Sequence, residues 1–167
     1  MRKLEVRPLE DIRKISETGL MKIRTYFLAM DTEKAPEFID LTKRIRECVK
    51  ESGISNGTVT IFSRHTTAAI KINENEPLLL QDMANFLERV APRNGQYLHN
   101  DFTIRTVNMT EDECPNGHAH CQQLFLNTSE TIPLIDGSLQ MGQWQSVFLI
   151  ELDRPRSREV LVQIVGG

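Results

Sequence analysis

Ser146-Val147-Phe148-Leu149-Ile150-Glu151-Leu152 is a short, nearly all-apolar run, and Glu159-Val160-Leu161-Val162-Gln163-Ile164-Val165 follows it as a second run rich in Val and Ile. Runs of this length and β-branched content form strands, and their apolar density predicts central strands covered on both faces. Just upstream, Thr131-Ile132-Pro133-Leu134-Ile135 leads into Asp136-Gly137, a pair that suits a two-residue hairpin turn. Thr58–Ser63 and Ala68–Asn73 read as two further strands joined by Arg64-His65-Thr66-Thr67, and Leu20–Met30 reads as a first strand.

Helical spacing separates these strands. From about 36 to 51, Pro36 suits a first helical position, Phe38, Leu41, Ile45, Cys48 and Val49 share one face, and Gly53 stands where a C-terminal cap falls. A second helix is predicted from Pro77 to about Val90, with an apolar stripe of Leu79, Met83, Phe86, Leu87 and Val90 and a stop at Pro92. His118 to Asn127 is a shorter helical candidate. The sequence therefore predicts an α+β fold: a single compact domain over 20–167, with a largely antiparallel β-sheet and two main helices packed on one face. Residues 1–19 carry helical spacing at Leu4, Leu9, Ile12 and Ile15, but Pro8 and Thr18-Gly19 interrupt it, so they read as an N-terminal extension.

The chain has 167 residues, 40% hydrophobic and 26% charged, which suits one globular domain. No apolar run reaches the roughly 18 residues of a membrane span, and the N-terminus lacks the apolar stretch of a secretory signal. A cytoplasmic protein with no membrane partner is the expectation. Cys48, Cys114 and Cys121 match neither a disulfide framework nor paired Cys-x-x-Cys units, so reduced thiols are expected, Cys48 on a helix face. A net charge of −3, one Trp and two Tyr argue against nucleic acid as a partner. No Walker loop, dinucleotide fingerprint, Gly-x-Ser-x-Gly elbow or His-x-x-x-His helix motif is present.

The chemistry concentrates in His65-Thr66-Thr67-Ala68, Tyr97-Leu98-His99 and Asn116-Gly117-His118-Ala119-His120, because imidazole both moves protons near neutral pH and ligates metals. Thr66 and Thr67 supply hydroxyls that orient the His65 ring or hold a phosphate oxygen. Glu74 shares the strand face of Ile70 and Ile72, where a charge is anomalous unless that face opens into a site. Asn73 stands beside it, and Glu76 is assigned to solvent. Asp82 falls on the second helix, either as a site acid or as a solvated face residue. His118 and His120 share a side only on extended backbone and diverge on a helix. In Gly142-Gln143-Trp144-Gln145, Trp144 reads as a core anchor or an interface residue, while Gln143 and Gln145 point to the other side and reach for a ligand. The polar stretch from Arg93 to Asn116 is longer than idle loops usually are.

Taken in order, these strings, together with Ile72-Asn73-Glu74-Asn75, Ile132-Pro133-Leu134 and Gly137-Ser138-Leu139, resemble the YjbQ-like family, described as secondary thiamine-phosphate synthases. The resemblance runs from about residue 20 to the C-terminus. It implies a compact homotrimer with a metal-associated histidine site and a weak thiamine-phosphate synthase activity. That reaction joins a hydroxymethylpyrimidine diphosphate to a thiazole phosphate and releases pyrophosphate. On the family pattern His65, His99 and His120 match recurrent histidines, the metal ligands expected here, and Glu74 and Asp82 match recurrent acids, expected with His65 to be catalytic. His118 falls where the family usually has a smaller residue, and residues 106–114 also depart from it.

Arg64, Thr66, Thr67, Asn73, Gln145 and Arg158 are the expected contacts to a small phosphorylated metabolite, since a departing pyrophosphate needs a divalent cation or guanidinium groups to take up its charge. Three imidazoles suit Zn or another transition metal, and a diphosphate substrate admits Mg. Two alternatives stand beside this transferase reading. One is a non-catalytic trimer that binds a metal or metabolite; the other is a metal-dependent hydrolase with a coordination position open to water.

Overall fold

The computed structural model describes residues 20–167; the expected N-terminal extension, residues 1–19, lies outside them. Eight strands and three α-helices follow one another as β1 (Lys22–Asp31), β2 (Glu37–Asp40), α1 (Thr42–Ser52), β3 (Gly57–Ser63), β4 (Ala68–Glu74), α2 (Pro77–Val90), α3 (Gly117–Gln123), β5 (Ser129–Ile135), β6 (Ser138–Leu139), β7 (Gln145–Glu151) and β8 (Ser157–Gly166). A single 3₁₀ turn, Leu98–Asn100, interrupts the long loop between α2 and α3. All strand pairs are antiparallel, in two sheets ordered β1-β8-β3-β5-β6 and β2-β7-β4. The α+β expectation holds, with its one sheet divided into two.

The division follows from the alternation of side chains along each strand. Val160, Val162 and Ile164 of β8, Val59 and Ile61 of β3, and Ile132 and Leu134 of β5 face Ile70 of β4 and Val147 and Leu149 of β7 across one core. The helix α1 inserts Leu41, Ile45, Cys48 and Val49 into the same core. The other side of β7 carries Phe148 and Ile150, which meet Leu87 of α2 and Ala119 of α3. The layers are thus a five-stranded sheet, a three-stranded sheet and a pair of helices. As its sequence predicts, β7 is buried on both faces. By contrast β8 buries alternate residues only, because nothing among the described residues covers the outer face of the larger sheet. There Phe27, Leu161 and Phe62 stand in one cross-strand row, and Phe27 remains 54% exposed.

Two local features sharpen the sequence reading. The predicted helix from 36 starts only at Thr42, and Glu37–Asp40 instead pairs with β7, Phe38 opposite Ile150. Phe38 packs against the helix-side core, edge-on to Phe148. The helix α2 spans its predicted residues, and Glu76, assigned to solvent, is its N-cap: the carboxylate accepts the Leu78 and Leu79 N–H groups at 3.0 and 2.7 Å ahead of Pro77. Asp136-Gly137 forms the predicted turn between β5 and β6, both residues with positive φ. Trp144 is 66% exposed, which excludes the core-anchor reading. All three cysteines are free thiols, and Cys48 is buried on α1 as expected.

Candidate functional site

Two connections cross between the sheets at the same end of the sandwich. Arg64-His65-Thr66-Thr67 leads from β3 into β4, and Leu152–Arg156 leads from β7 into β8. At this end the inward-facing series Val147, Leu149 of β7 continues into Glu151, and the series Ile164, Val162, Val160 of β8 continues into Arg158. The two charges therefore meet where the apolar core stops. Arg158 Nε and Nη2 each donate to the Glu151 carboxylate at 2.5 Å, and Nη2 also donates to the Thr67 hydroxyl at 2.9 Å. The same carboxylate accepts the Leu152 and Asp153 N–H groups and lies 3.3 Å from the Thr32 hydroxyl. Glu151 and Arg158 are at most 4% exposed, so the ion pair is a polar plug on the sandwich, kept by the multiple bonds that a buried charge requires.

Above this plug lies a cleft of about 570 Å³, walled by Arg64–Thr67, the loop around Arg105, and α3. Arg154 and Arg156 of the bent connection and Arg158 at the start of β8 all line it. Arg154 and Arg156 are held by the buried Asp153 at 3.2 and 2.9 Å. Arg105 donates to the carbonyl of Asn108 at 2.6 Å and pairs with Glu113 at 3.4 Å. Arg64 approaches Glu159 at 3.7 Å and lies over the Phe27 ring. An arginine has five N–H donors and these contacts use one to three of them, which leaves the cleft rich in donors.

Among the histidines, His99 and His120 come together with ring centroids 4.6 Å apart. Burial, then the positive neighbours His99 and Arg105, hold His120 below its ordinary pKa. His99 Nε2 and Asn116 Oδ1 are buried and have no hydrogen-bond partner among the described residues. Asn116 is 7% exposed yet lines the cleft. The loop that carries His99 is tied to α3 by the Asn100 carboxamide, which accepts the Gly117 N–H at 2.8 Å. The contact is so close that a Cβ on Gly117 would stand 2.6 Å from Tyr97 Cβ.

His65 is placed differently. Its Nε2 accepts the Glu159 backbone N–H at 3.1 Å, and burial followed by the Arg158 charge lowers its pKa. The ring is thus neutral with its proton on Nδ1. His118, on the helix α3, diverges from His120 and is buried, with no hydrogen-bond partner within good geometry for either ring nitrogen among the described residues; burial and then Arg93 lower its pKa. A resident three-histidine metal does not fit this donor set. His65 spends its accepting nitrogen on the backbone, and no three His, Cys, Asp or Glu side chains group as a metal would require among the described residues.

The structure brings Arg64, His65, Thr66, Thr67, His99, His120 and Arg158 to one cleft and leaves the remaining expected residues elsewhere. Glu74 shares the face of Ile70 and Ile72, but it stands exposed at the far end of β4, about 20 Å along the strand from Ala68. Its neighbour Asn73 donates to Met83 Sδ. Gln145, opposite Glu74 in the sheet, accepts the Gly142 N–H and lines a separate depression with Asp40, Lys43 and Arg46. Asp82 is exposed on α2. None of the four lines the cleft. Residues that sequence reasoning missed are Glu151, Asp153, Arg154, Arg156, Arg105 and Asn116. The alternation in Arg154-Pro155-Arg156-Ser157-Arg158, and an acid closing the apolar run of β7, were the available signals.

The family model described as UPF0047 protein YjbQ-like matches residues 27–167. A UPF0047 protein of Methanothermobacter thermautotrophicus is 38% identical over 146 residues, covering 87% of this chain and 94% of the relative. Among solved structures, a YbjQ-like protein of unknown function from Sulfolobus solfataricus P2 superposes with a TM-score of 0.79 at 34% identity, covering 89% of this chain and 100% of that one. A hypothetical protein from Aeropyrum pernix K1 gives 0.76 at 30% identity, with coverage of 86% and 99%.

Proposed function

The chain belongs to the YjbQ-like UPF0047 family, and from that premise we propose that its arginine-lined cleft binds a small phosphorylated metabolite and supports a transfer of the thiamine-phosphate synthase type. The observation that carries this reading is the convergence of Arg154, Arg156 and Arg105 on the His99–His120 pair. In the proposed reaction the methylene carbon–oxygen bond of the pyrimidine diphosphate breaks with its electron pair leaving on pyrophosphate. The lone pair of the thiazole nitrogen forms the new carbon–nitrogen bond. The chemical burden on the protein is the charge that builds on the departing pyrophosphate, and guanidinium groups held in place by Asp153 and Glu113 supply preorganised donors for it. His120, beside them, donates from its protonated ring nitrogen.

Each copy serves the same chemistry within a homotrimer. Support for that assembly comes from the uncovered apolar row Phe27, Leu161, Phe62 on one side of the molecule and the exposed Leu78 and Phe86 of α2 on another. A closed ring of three joins two different patches at every interface, and these are two such patches. Binding without turnover is a second reading, favoured by His65 and Arg158 already being engaged by protein partners.

Calorimetric titration of metal-free protein with inorganic pyrophosphate tests the site. Binding that weakens about tenfold or more in Arg156→Ala, and weakens with added salt, is expected. No measurable binding at millimolar pyrophosphate refutes the reading. Formation of thiamine phosphate by wild type, lost in His120→Ala, then separates transferase from binder.

A further inference from the structure

Along α2, Leu78, Asp82 and Phe86 recur every four residues, so they lie on one face of the helix, an acid between two apolar side chains. All three are exposed, and Asp82 is in no ion pair among the described residues. The outer face of the larger sheet repeats this pattern with the charge reversed. Phe27 and Phe62 stand at the two ends of the cross-strand row, and the Arg64 guanidinium lies 6.0 Å from the centre of the Phe27 ring. Strands about 4.8 Å apart give the row a span of about 10 Å, and a helical rise of about 1.5 Å per residue sets Leu78 about 12 Å from Phe86. Arg64 has only a 3.7 Å approach to Glu159, and its side chain is more than half exposed. Arg89, seven residues past Asp82 and so on the same face of α2, carries the charge opposite to Glu159.

The two surfaces do not meet within one chain. The helix α2 packs on the far side of the three-stranded sheet, so both sheets stand between it and the row. They meet only head to tail between copies, the kind of contact from which a closed ring is built. We infer that each cleft is completed by a neighbouring copy: α2 of the partner subunit seats its apolar face on the Phe27–Leu161–Phe62 row, and Asp82 of the partner subunit pairs with Arg64. This rests on the anion-binding, ring-forming reading of the chain and names the residue that the neighbour supplies. Arg64 walls both the arginine-lined cleft and an adjoining depression of about 590 Å³ lined by Phe62 and Leu124. A helix laid over Phe62 closes that side against water, and the partner's Asp82 fixes the Arg64 guanidinium at the cleft wall. Asp82 is therefore a positioning residue, acting on a bound anion through Arg64.

Cross-linking, sedimentation and pyrophosphate titration of the full chain test this. Arg64→Cys and Asp82→Cys combined in one chain are expected to give disulfide-linked dimers and trimers on oxidation with diamide, and neither substitution alone is expected to do so. Both residues are exposed, so the substitutions leave folding intact. Asp82→Arg leaves every residue of its own cleft unchanged, yet it is expected to sediment as a monomer and to bind pyrophosphate at least about fivefold more weakly than wild type. Arg64→Asp/Asp82→Arg restores opposite charges across the contact and is expected to recover the wild-type mass. A wild-type trimer whose paired cysteines do not link, or an Asp82→Arg chain that binds pyrophosphate as tightly as wild type, overturns the inference and leaves the anion-binding cleft standing. A wild type that sediments as a monomer overturns the assembly reading and the inference with it. Cross-links formed by a protein whose wild type binds no pyrophosphate overturn the anion-binding reading while the contact stands.

Discussion

Removing Glu151 alone strands a guanidinium in a place that water does not reach. Arg158 loses both of its 2.5 Å contacts, and the N–H groups of Leu152 and Asp153 lose their acceptor. Breaking a buried pair from one side costs about 3–5 kcal/mol. For a domain of this size that lowers the Tm by roughly 6–20 °C, at about 2–4 °C per kcal/mol. Arg158→Met strands the carboxylate instead and is expected to cost a similar amount. The double variant Glu151→Leu/Arg158→Met removes both charges together, so its loss is expected to fall short of the summed single losses by at least about 2 kcal/mol. Urea unfolding of all four proteins at neutral pH measures the coupling. Single variants within about 1 kcal/mol of wild type, or strictly additive losses, would refute the claim that this pair plugs the sandwich beneath the cleft.

Stability is expected to depend on pH through the buried imidazoles. His65, His118 and His120 all lie below their ordinary pKa of 6.5 in the folded chain. Unfolding releases each ring to take a proton near pH 6.5 while the folded protein still refuses it. Their contribution is therefore fully present above that pH and is lost as the pH falls toward the folded pKa. His118→Leu is expected to reduce the slope of stability against pH below 6.5 by up to about 1.4 kcal/mol per unit; an unchanged slope in urea titrations excludes a buried neutral His118. Gly117→Ala is expected to push α3 from Tyr97, costing about 1–3 kcal/mol and weakening pyrophosphate binding; unchanged binding would show that the helix does not position His120. Phe27→Arg places a charge in the uncovered apolar row and is expected to reduce a trimer to monomer in sedimentation, and a mass unchanged from wild type would exclude that row as an interface.

Legibility varied with how local the governing interaction is. The helix α2 was readable because its first-turn proline, its apolar stripe and its stop at Pro92 lie in or just beside its own residues. The hairpin at Asp136-Gly137 was readable for the same reason. Residues 37–40 were misread as helix because Phe38 and Leu41 fit a helical face as well as a strand; pairing with β7, more than a hundred residues away, decided between them. Along α2, the stripe expected to enter the core buries only Leu87, while Phe86 stays 49% exposed. Hydrophobic spacing identifies a face without saying what covers it.

The site divides in the same way. Residue type and short motifs singled out His65, His99 and His120 and the Arg64–Thr67 connection, and only the family resemblance grouped the three histidines at one centre. Sequence by itself determined most of the strands and helices, residues 37–40 excepted, that β7 is interior, and which groups have imidazole, hydroxyl or guanidinium chemistry to offer. Only the tertiary structure decided that β3 and β4, neighbours in sequence, belong to different sheets, that His99 meets His120 while His65 is satisfied by a backbone N–H, and that Glu74 ends at the far side of the sandwich. Propensity and periodicity act over a few residues, whereas the end of a strand to which a charge is carried is set by register between segments distant in the chain.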